Sequence, residues 1–224
     1  MINAIVTDIE GTTTSLSFVK DTLFPYARAH LGEYIRDYYH DPEVHAILTE
    51  ASNESGLELD AEKIIELFTQ WMDEDKKATP LKSLQGLIWQ AGYQQGDFKG
   101  HVYRDAADNL KAWKAKGLDL YVYSSGSVKA QKLLFSHSDF GDLTTLFSGY
   151  FDTRIGGKKQ QQSYSRIAEQ IDCLPGSLLF LSDIKEELDA ARSAGFQTFW
   201  LCRDGITDQQ GEHRQVSNFN DIHF

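Results

Sequence analysis

Asp8 and Glu10 stand two residues apart, where a short apolar run, Ala4-Ile5-Val6-Thr7, gives way to the small residues Gly11 and Thr12. Three other runs also deliver polar groups at or beyond their ends. Ser124 and Ser125 follow Leu118–Tyr123, and Gly149–Asp152 leads toward Gly156-Gly157-Lys158-Lys159. Asp183 terminates Ser177–Ser182, with Glu187 four residues further on. If these runs are strands of one parallel sheet, their polar ends share the carboxyl rim, where open sheets bind ligands. Two or three carboxylates, two hydroxyls and one ammonium can then meet. Hard oxygen donors of this kind suit Mg2+, which takes one or two carboxylates and completes its octahedron with water and phosphate. A divalent ion also lets Asp8 and Asp183 stay ionised side by side. In that setting Asp8 can attack phosphorus to give an acyl-phosphate, dividing one hard displacement into two easier ones. Ser124 and Lys158 would bind the equatorial oxygens on which charge builds. Glu10 would protonate the leaving alkoxide and then deprotonate the attacking water.

The hydrophobic period shows which elements must position these residues. Ala4–Thr7 is short and β-branched, as a buried strand is. From about residue 17 to 100 the period becomes helical. Tyr26, Ala27, Leu31, Tyr34, Ile35 and Tyr38 form one stripe behind Pro25; Ile64, Leu67, Phe68, Trp71 and Met72 form a second, and Leu81 to Ala91 a third helix. Beyond residue 103, helices alternate with strands: helix Asp105–Lys116 stopping at Gly117, strand Leu118–Tyr123, helix Val128 to about His137, strand Gly149–Asp152, helix Ser163–Ile171, strand Ser177–Ser182, helix Ile184–Ala194, strand Gln197–Leu201. Alternation of this kind implies right-handed crossovers and a parallel sheet covered on both faces. The chain therefore divides into an α/β core, residues 1–16 and 103–224, and a helical insert, residues 17–102.

The set Asp8-Ile9-Glu10-Gly11-Thr12, Ser124, Lys158 and Ser182-Asp183 resembles the four motifs of haloacid-dehalogenase-type phosphatases, and the insert after the first motif resembles that family's helical cap. The resemblance implies a Rossmann-like core plus a small all-helical cap. Most members carry Asp at the second position of the first motif. Glu there, taken with Tyr123-Ser124-Ser125-Gly126-Ser127, is similar to a branch of methionine salvage. That branch takes a small phosphorylated diketone, 2,3-diketo-5-methylthiopentyl-1-phosphate, enolises it and removes the phosphate to give an acireductone. The similarity runs on through Gln131–Phe135, Phe151-Asp152-Thr153 and Leu179–Asp183 and is weaker over the insert. It implies Mg2+ as cofactor, with Asp8 as nucleophile and metal ligand and Glu10 as acid/base that also offers its backbone carbonyl to the ion. Ser124 and Ser125 would bind substrate, Lys158 would contact the phosphoryl group and Asp183 would ligate the metal. The family's fourth motif usually pairs acids or repeats Asp four residues on. Here Ser182 precedes Asp183 and the later acid is Glu187, so the participation of Glu187, of Lys159 and of any particular enolisation base stays open at this stage.

Each residue also has a plainer reading. Asp8 alone would be a helix cap or loop acid, Glu10 a solvated turn residue, and Ser124–Ser127 an ordinary strand end and helix start. Either lysine could be a solvated loop residue, and Asp183 could cap the next helix. Agreement of four motifs in chain order favours the chemical reading. A same-site phosphatase of another metabolite and a phospho-acceptor signalling module are the alternatives; the insert and Glu10 argue against the second. A dehalogenase would have no use for metal-binding acids.

Composition sets further bounds. The 224 residues carry 22 basic and 33 acidic side chains, a net charge of −11, which excludes a protein built to grip nucleic acid through phosphates. With 41% hydrophobic and 12% aromatic residues the chain has a core. No apolar run reaches the ~20 residues of a membrane span, and the start lacks the pattern of a signal peptide. Two cysteines, Cys173 and Cys202, fit a reducing cytoplasm, and seven histidines without metal spacing argue against zinc catalysis. Trp71 and Met72 read as helix-packing residues, though a thioether-bearing substrate needs an apolar wall of that kind. The acidic surface without a coiled-coil pattern points to a monomer.

Overall fold

All four side chains of β1 (Ala4–Thr7) are buried, as a strand needs when it has neighbours on both edges and cover on both faces. The computed structural model describes residues 1–205 and 213–224. Among them, β1 lies inside a six-stranded sheet of order β3-β2-β1-β4-β5-β6, with every neighbouring pair parallel. The other strands are β2 (Asp119–Tyr123), β3 (Gly149–Phe151), β4 (Leu178–Ser182), β5 (Gln197–Leu201) and β6 (Arg214–Val216). Helices α6 (Arg104–Ala115), α7 (Val128–Ser136), α8 (Gln161–Gln170) and α9 (Lys185–Ser193) follow the alternation read from the sequence. The short strand β6 has no counterpart in the sequence analysis; Arg-Gln-Val is too brief to show a period.

The chain divides into two compact units, residues 1–16 with 99–224, and residues 17–98. The first is the sheet with its helices. Ala4 and Val6 of β1, Leu178 and Phe180 of β4 and Tyr123 of β2 share a core with Tyr164, Ile167, Leu188 and Phe196 on one face of the sheet. Ile5, Leu120, Val122, Leu179 and Leu181 alternate with them along the strands and are fully buried as well. Residues 99–102, assigned to the insert by the sequence pattern, fall in this first unit. The Gly100 N–H donates to the His137 carbonyl at 2.8 Å, and the Gly100 carbonyl accepts from the Asp139 N–H at 3.0 Å. A three-residue α1 (Leu16–Phe18) spans the boundary on the N-terminal side.

The second unit is all helical. A π-helical turn (Val19–Leu23) leads into α2 (Phe24–Asp37), followed by α3 (Pro42–Ser55), α4 (Ala61–Asp73) and α5 (Thr79–Gln95). Helix α3 is an element the sequence analysis did not pick out. Its buried stripe, Val44, Ile47, Leu48 and Ala51, has helical spacing, and Asp41 caps it by accepting from the N–H groups of Glu43 and Val44. The stripes of all four helices meet in one core of Leu31, Ile35, Leu48, Ile64, Phe68, Trp71, Leu84 and Ile88.

Phe180 is fully buried in β4 and packs edge-on against Tyr164 with ring centroids 5.0 Å apart. Phe180→Ala is expected to lower the unfolding free energy by about 3–5 kcal/mol in chemical denaturation; a loss near zero would show that this core is not close-packed.

Candidate active site

The strand order reverses at β1: the chain passes from β1 to β2 and β3 on one side, then crosses to β4 on the other. Such a switch point leaves a crevice beyond the carboxyl ends, and the residues just past those ends fill it. Register pairs Thr7 with Leu181 and with Val122, and the Asp8 N–H donates to the Leu181 carbonyl at 2.9 Å. Asp8 thus comes level with Ser182 and Tyr123, one residue short of Asp183 and Ser124 on the flanking strands.

Lys158 binds this rim together. Its Nζ lies 2.6 Å from Asp8 Oδ1 and 2.7 Å from Glu187 Oε2, with the lysine side chain 10% exposed. Burial alone would lower the pKa of the ammonium; Asp8 and Glu187 outweigh it and hold it above the ordinary lysine value. Ser182 Oγ donates to Glu187 Oε2 at 2.9 Å and accepts from the Ile184 N–H at 3.1 Å. Burial and the nearby Asp8 charge push Glu187 upward, against the pull of Lys158. These contacts give Glu187 its place, in an ion pair with Lys158. Lys159 instead lies 3.8 Å from Glu186, both side chains 64% exposed; Lys158, the residue directly after the glycine pair, is the one that enters the rim.

Three hydroxyls hold the Lys158 loop in position. Tyr123 Oη donates to the Gly156 carbonyl at 2.8 Å, Ser163 Oγ to the Gly157 carbonyl at 2.8 Å and Tyr164 Oη to the Lys158 carbonyl at 2.7 Å. Gly156 has φ +140°, and a Cβ there would overlap Ser163 Oγ, so the turn needs glycine. These three anchors leave no mark in the sequence, since nothing local distinguishes a tyrosine as the holder of a loop 33 residues away.

The first-motif loop is equally constrained. The N–H groups of Thr12, Thr13 and Thr14 all donate to the Ile9 carbonyl, and the Gly11 N–H donates to the Thr14 carbonyl. Gly11 has φ +71°, and a Cβ on it would overlap the Asp183 carboxylate. Asp183 therefore lies directly against the backbone next to Glu10. Asp183 does not cap the following helix: α9 begins behind Ile184 with no side-chain cap. Ser124 is buried, its Oγ accepting from the Gly126 N–H at 3.2 Å, while Ser125 is exposed beside it. Gln131 steadies that loop by donating to the carbonyls of Gly126 and Phe151, both at 2.8 Å.

A sheet whose switch point gathers an aspartate, a lysine and a second aspartate invites comparison with known proteins. A model of haloacid dehalogenase-like hydrolases matches residues 2–195. The chain belongs to the haloacid dehalogenase-like hydrolase family. It is 55% identical over 223 residues to enolase-phosphatase E1 of Methylococcus capsulatus, covering 99% of this chain and 98% of that protein. The match to enolase-phosphatase E1 of Pseudomonas aeruginosa strain UCBPP-PA14 is 54% over 222 residues, covering 99% and 98%. Among solved structures, the UTR4 protein of Saccharomyces cerevisiae superposes with a TM-score of 0.86 at 33% identity, covering 99% of this chain and 100% of that one. L-2-haloacid dehalogenase of Xanthobacter autotrophicus shares the fold, with a TM-score of 0.56 at 19% identity over 93% and 80% of the two chains.

The donor set of this family member fits a divalent cation. Asp183 Oδ1 is buried without a hydrogen-bond partner, and burial next to Asp8 pushes the Asp183 carboxyl up to about 7. An unpartnered carboxylate oxygen held beside a second carboxylate is what a hard cation relieves. Among the described residues no three His, Cys, Asp or Glu side chains group as metal ligands; a hard cation held by Asp8 and Asp183 would complete its shell with water and phosphate.

Because burial next to Asp8 raises the Asp183 carboxyl, it holds a proton below about pH 7 that a cation bound there would displace. Calorimetric Mg2+ titration in buffers of different ionisation enthalpy is expected to show about one proton released per ion at pH 6 and ~0 at pH 8.5; equal release at both values would count against Asp183 as a ligand.

Proposed function

We propose that this chain is a Mg2+-dependent enolase-phosphatase. It converts 2,3-diketo-5-methylthiopentyl-1-phosphate to 1,2-dihydroxy-3-keto-5-methylthiopentene and phosphate in methionine salvage. The observation that carries the phosphatase chemistry is the buried contact of Lys158 with Asp8 at the switch point, beside Asp183. Near-full-length similarity to enolase-phosphatases, at 55% and 54% identity, supports the narrower choice of substrate.

The residues divide the work as follows. Lys158 holds Asp8 Oδ1, which orients the carboxylate and keeps Oδ2 as the attacking oxygen. Asp8 forms a bond to phosphorus as the ester P–O bond breaks, and the departing oxygen takes its proton from Glu10. Water then attacks the aspartyl phosphate, giving its proton to Glu10; phosphate leaves and the Asp8 carboxylate is restored. Lys158 and Ser124 meet the phosphoryl oxygens, and Ser125, exposed beside Ser124, contacts the rest of the substrate. Asp8, Asp183 and the Glu10 backbone carbonyl would hold Mg2+, which when bound would neutralise the two acids and draw charge from the phosphoryl group. Enolisation precedes these steps and moves a proton from carbon to the neighbouring carbonyl oxygen.

The helical unit, residues 17–98, fits the role of a cap that excludes water from the first step. The net charge of −11 disfavours self-association and supports a monomer. A chain with two cysteines fits a reducing cytoplasm, and no helix among the described residues is long and apolar enough to cross a membrane.

A phosphate-release assay on the diketone ester and a panel of other small phosphorylated metabolites, with and without Mg2+, tests the reading. Phosphate and the ultraviolet absorbance of an enediol are expected together, only with the ion and most strongly on the diketone; phosphate from another ester alone would replace the substrate assignment. Asp8→Asn is expected to lower kcat by at least about a thousandfold with the fold retained, and full turnover would remove Asp8 as nucleophile.

A further inference from the structure

Arg203 follows β5 and belongs to none of the four motifs, yet it is built into the loop that carries Glu10. Its Nε and Nη2 both donate to the Thr12 carbonyl, at 3.1 and 2.6 Å, and its Nη1 donates to Asp105 Oδ2 at 2.7 Å. The Arg203 side chain is 11% exposed. Its guanidinium carbon lies 4.0 Å from the Tyr103 ring centroid and 5.3 Å from that of Phe219. Asp105 is fixed in turn by the Phe219 N–H, which donates to the same Oδ2 at 2.8 Å. The planar fork is thus held by aromatic rings and satisfied at three N–H groups, an arrangement open to Arg and closed to Lys.

What this fork holds is the closure of the catalytic loop. Thr12 is two residues beyond Glu10 and fully buried, and its own N–H donates to the Ile9 carbonyl. With the Gly11 N–H on the Thr14 carbonyl and a Glu10–Thr14 bridge, residues 9–14 form one closed turn. Arg203 is where the rest of the α/β unit grips that turn. Tyr103, whose ring the guanidinium faces, adds a second grip by donating its N–H to the Thr13 carbonyl at 2.8 Å.

We propose that Arg203 is a positioning residue for proton transfer by Glu10: by fixing the Thr12 carbonyl it sets the direction in which the Glu10 side chain leaves the loop. The inference rests on the assignment of Glu10 as acid/base. Proton donation depends on geometry at the leaving oxygen, and a displacement near 1 Å costs on the order of 10²-fold. A leaving group that departs without a proton is insensitive to that placement.

Arg203→Lys keeps the charge and loses the fork. Its turnover of the diketone ester is expected to fall by about 10–100-fold with KM little changed, and its turnover of 4-nitrophenyl phosphate to fall less than about threefold. The thermal midpoint and Mg2+ affinity, measured on the same preparation, check that the fold and metal site survive. In a Glu10→Gln background the Arg203→Lys change is expected to add nothing on the diketone ester, since the group it positions is gone. Equal losses on both esters, or losses that multiply in the double variant, would overturn the proposal and mark Arg203 as a general support of the loop. Full turnover in Glu10→Gln would remove the acid/base assignment and this proposal with it. Loss in Glu10→Gln with full turnover in Arg203→Lys would remove the proposal alone.

Discussion

A buried ammonium between two carboxylates sets the terms for the catalytic unit. Lys158 sits 2.6 Å from Asp8 and 2.7 Å from Glu187, and a charge at that depth is tolerable only with partners of opposite sign. Its presence makes the carboxylate group of the rim coherent: without it, Asp8, Asp183 and Glu187 would repel one another at close range in a medium that screens poorly. One cation does not neutralise three acids. Burial, with the Asp8 charge beside it, raises the Asp183 carboxyl next to its orphaned Oδ1, a strain that a hard cation would relieve.

Precision in such a site comes from backbone carbonyls pinned by side-chain donors. Tyr123, Ser163 and Tyr164 fasten the Gly156–Lys158 loop, Gln131 fastens the Ser124–Gly126 loop, and Arg203 fastens Thr12. Each donor stands on an element of the α/β unit or directly beyond one. Each loop crosses the rim with at least one carbonyl held by such a donor, which leaves Lys158 and Asp8 little conformational freedom to lose when substrate arrives.

The sequence exposes the parts of this arrangement that depend on local pattern. Apolar runs stopping at Asp8, Ser124 and Asp183 reveal both the strands and the residues they deliver, because period and punctuation are properties of neighbouring residues. Lys158 could be preferred over Lys159 only through the glycine pair and the family resemblance. What separates the two is tertiary: one faces Asp8 and Glu187, the other Glu186 at the surface. The same holds for Glu187, whose partnership with Lys158 spans 29 residues and leaves no local trace. Arg203 bonds a carbonyl 191 residues away, and no spacing rule points to it. Helix α3 went unread although its stripe of Val44, Ile47, Leu48 and Ala51 and its Asp41-Pro42 start carry a helical signal, while β6 is too short to carry one.

The helical unit enters the chain after Leu16 and returns at Lys99. Just inside those two crossings, Thr14 Oγ1 donates to the His101 carbonyl at 2.7 Å and the Ser15 N–H to His101 Nδ1 at 3.1 Å. The sheet thus closes its own seam behind the excursion, much as a ring is closed where a pendant hangs from it. With departure and return points already stitched together, the intervening stretch can lengthen, shrink or be exchanged without parting the two ends of the α/β unit that it interrupts. A lineage can therefore rewrite one contiguous segment of sequence while the sheet keeps its own closure.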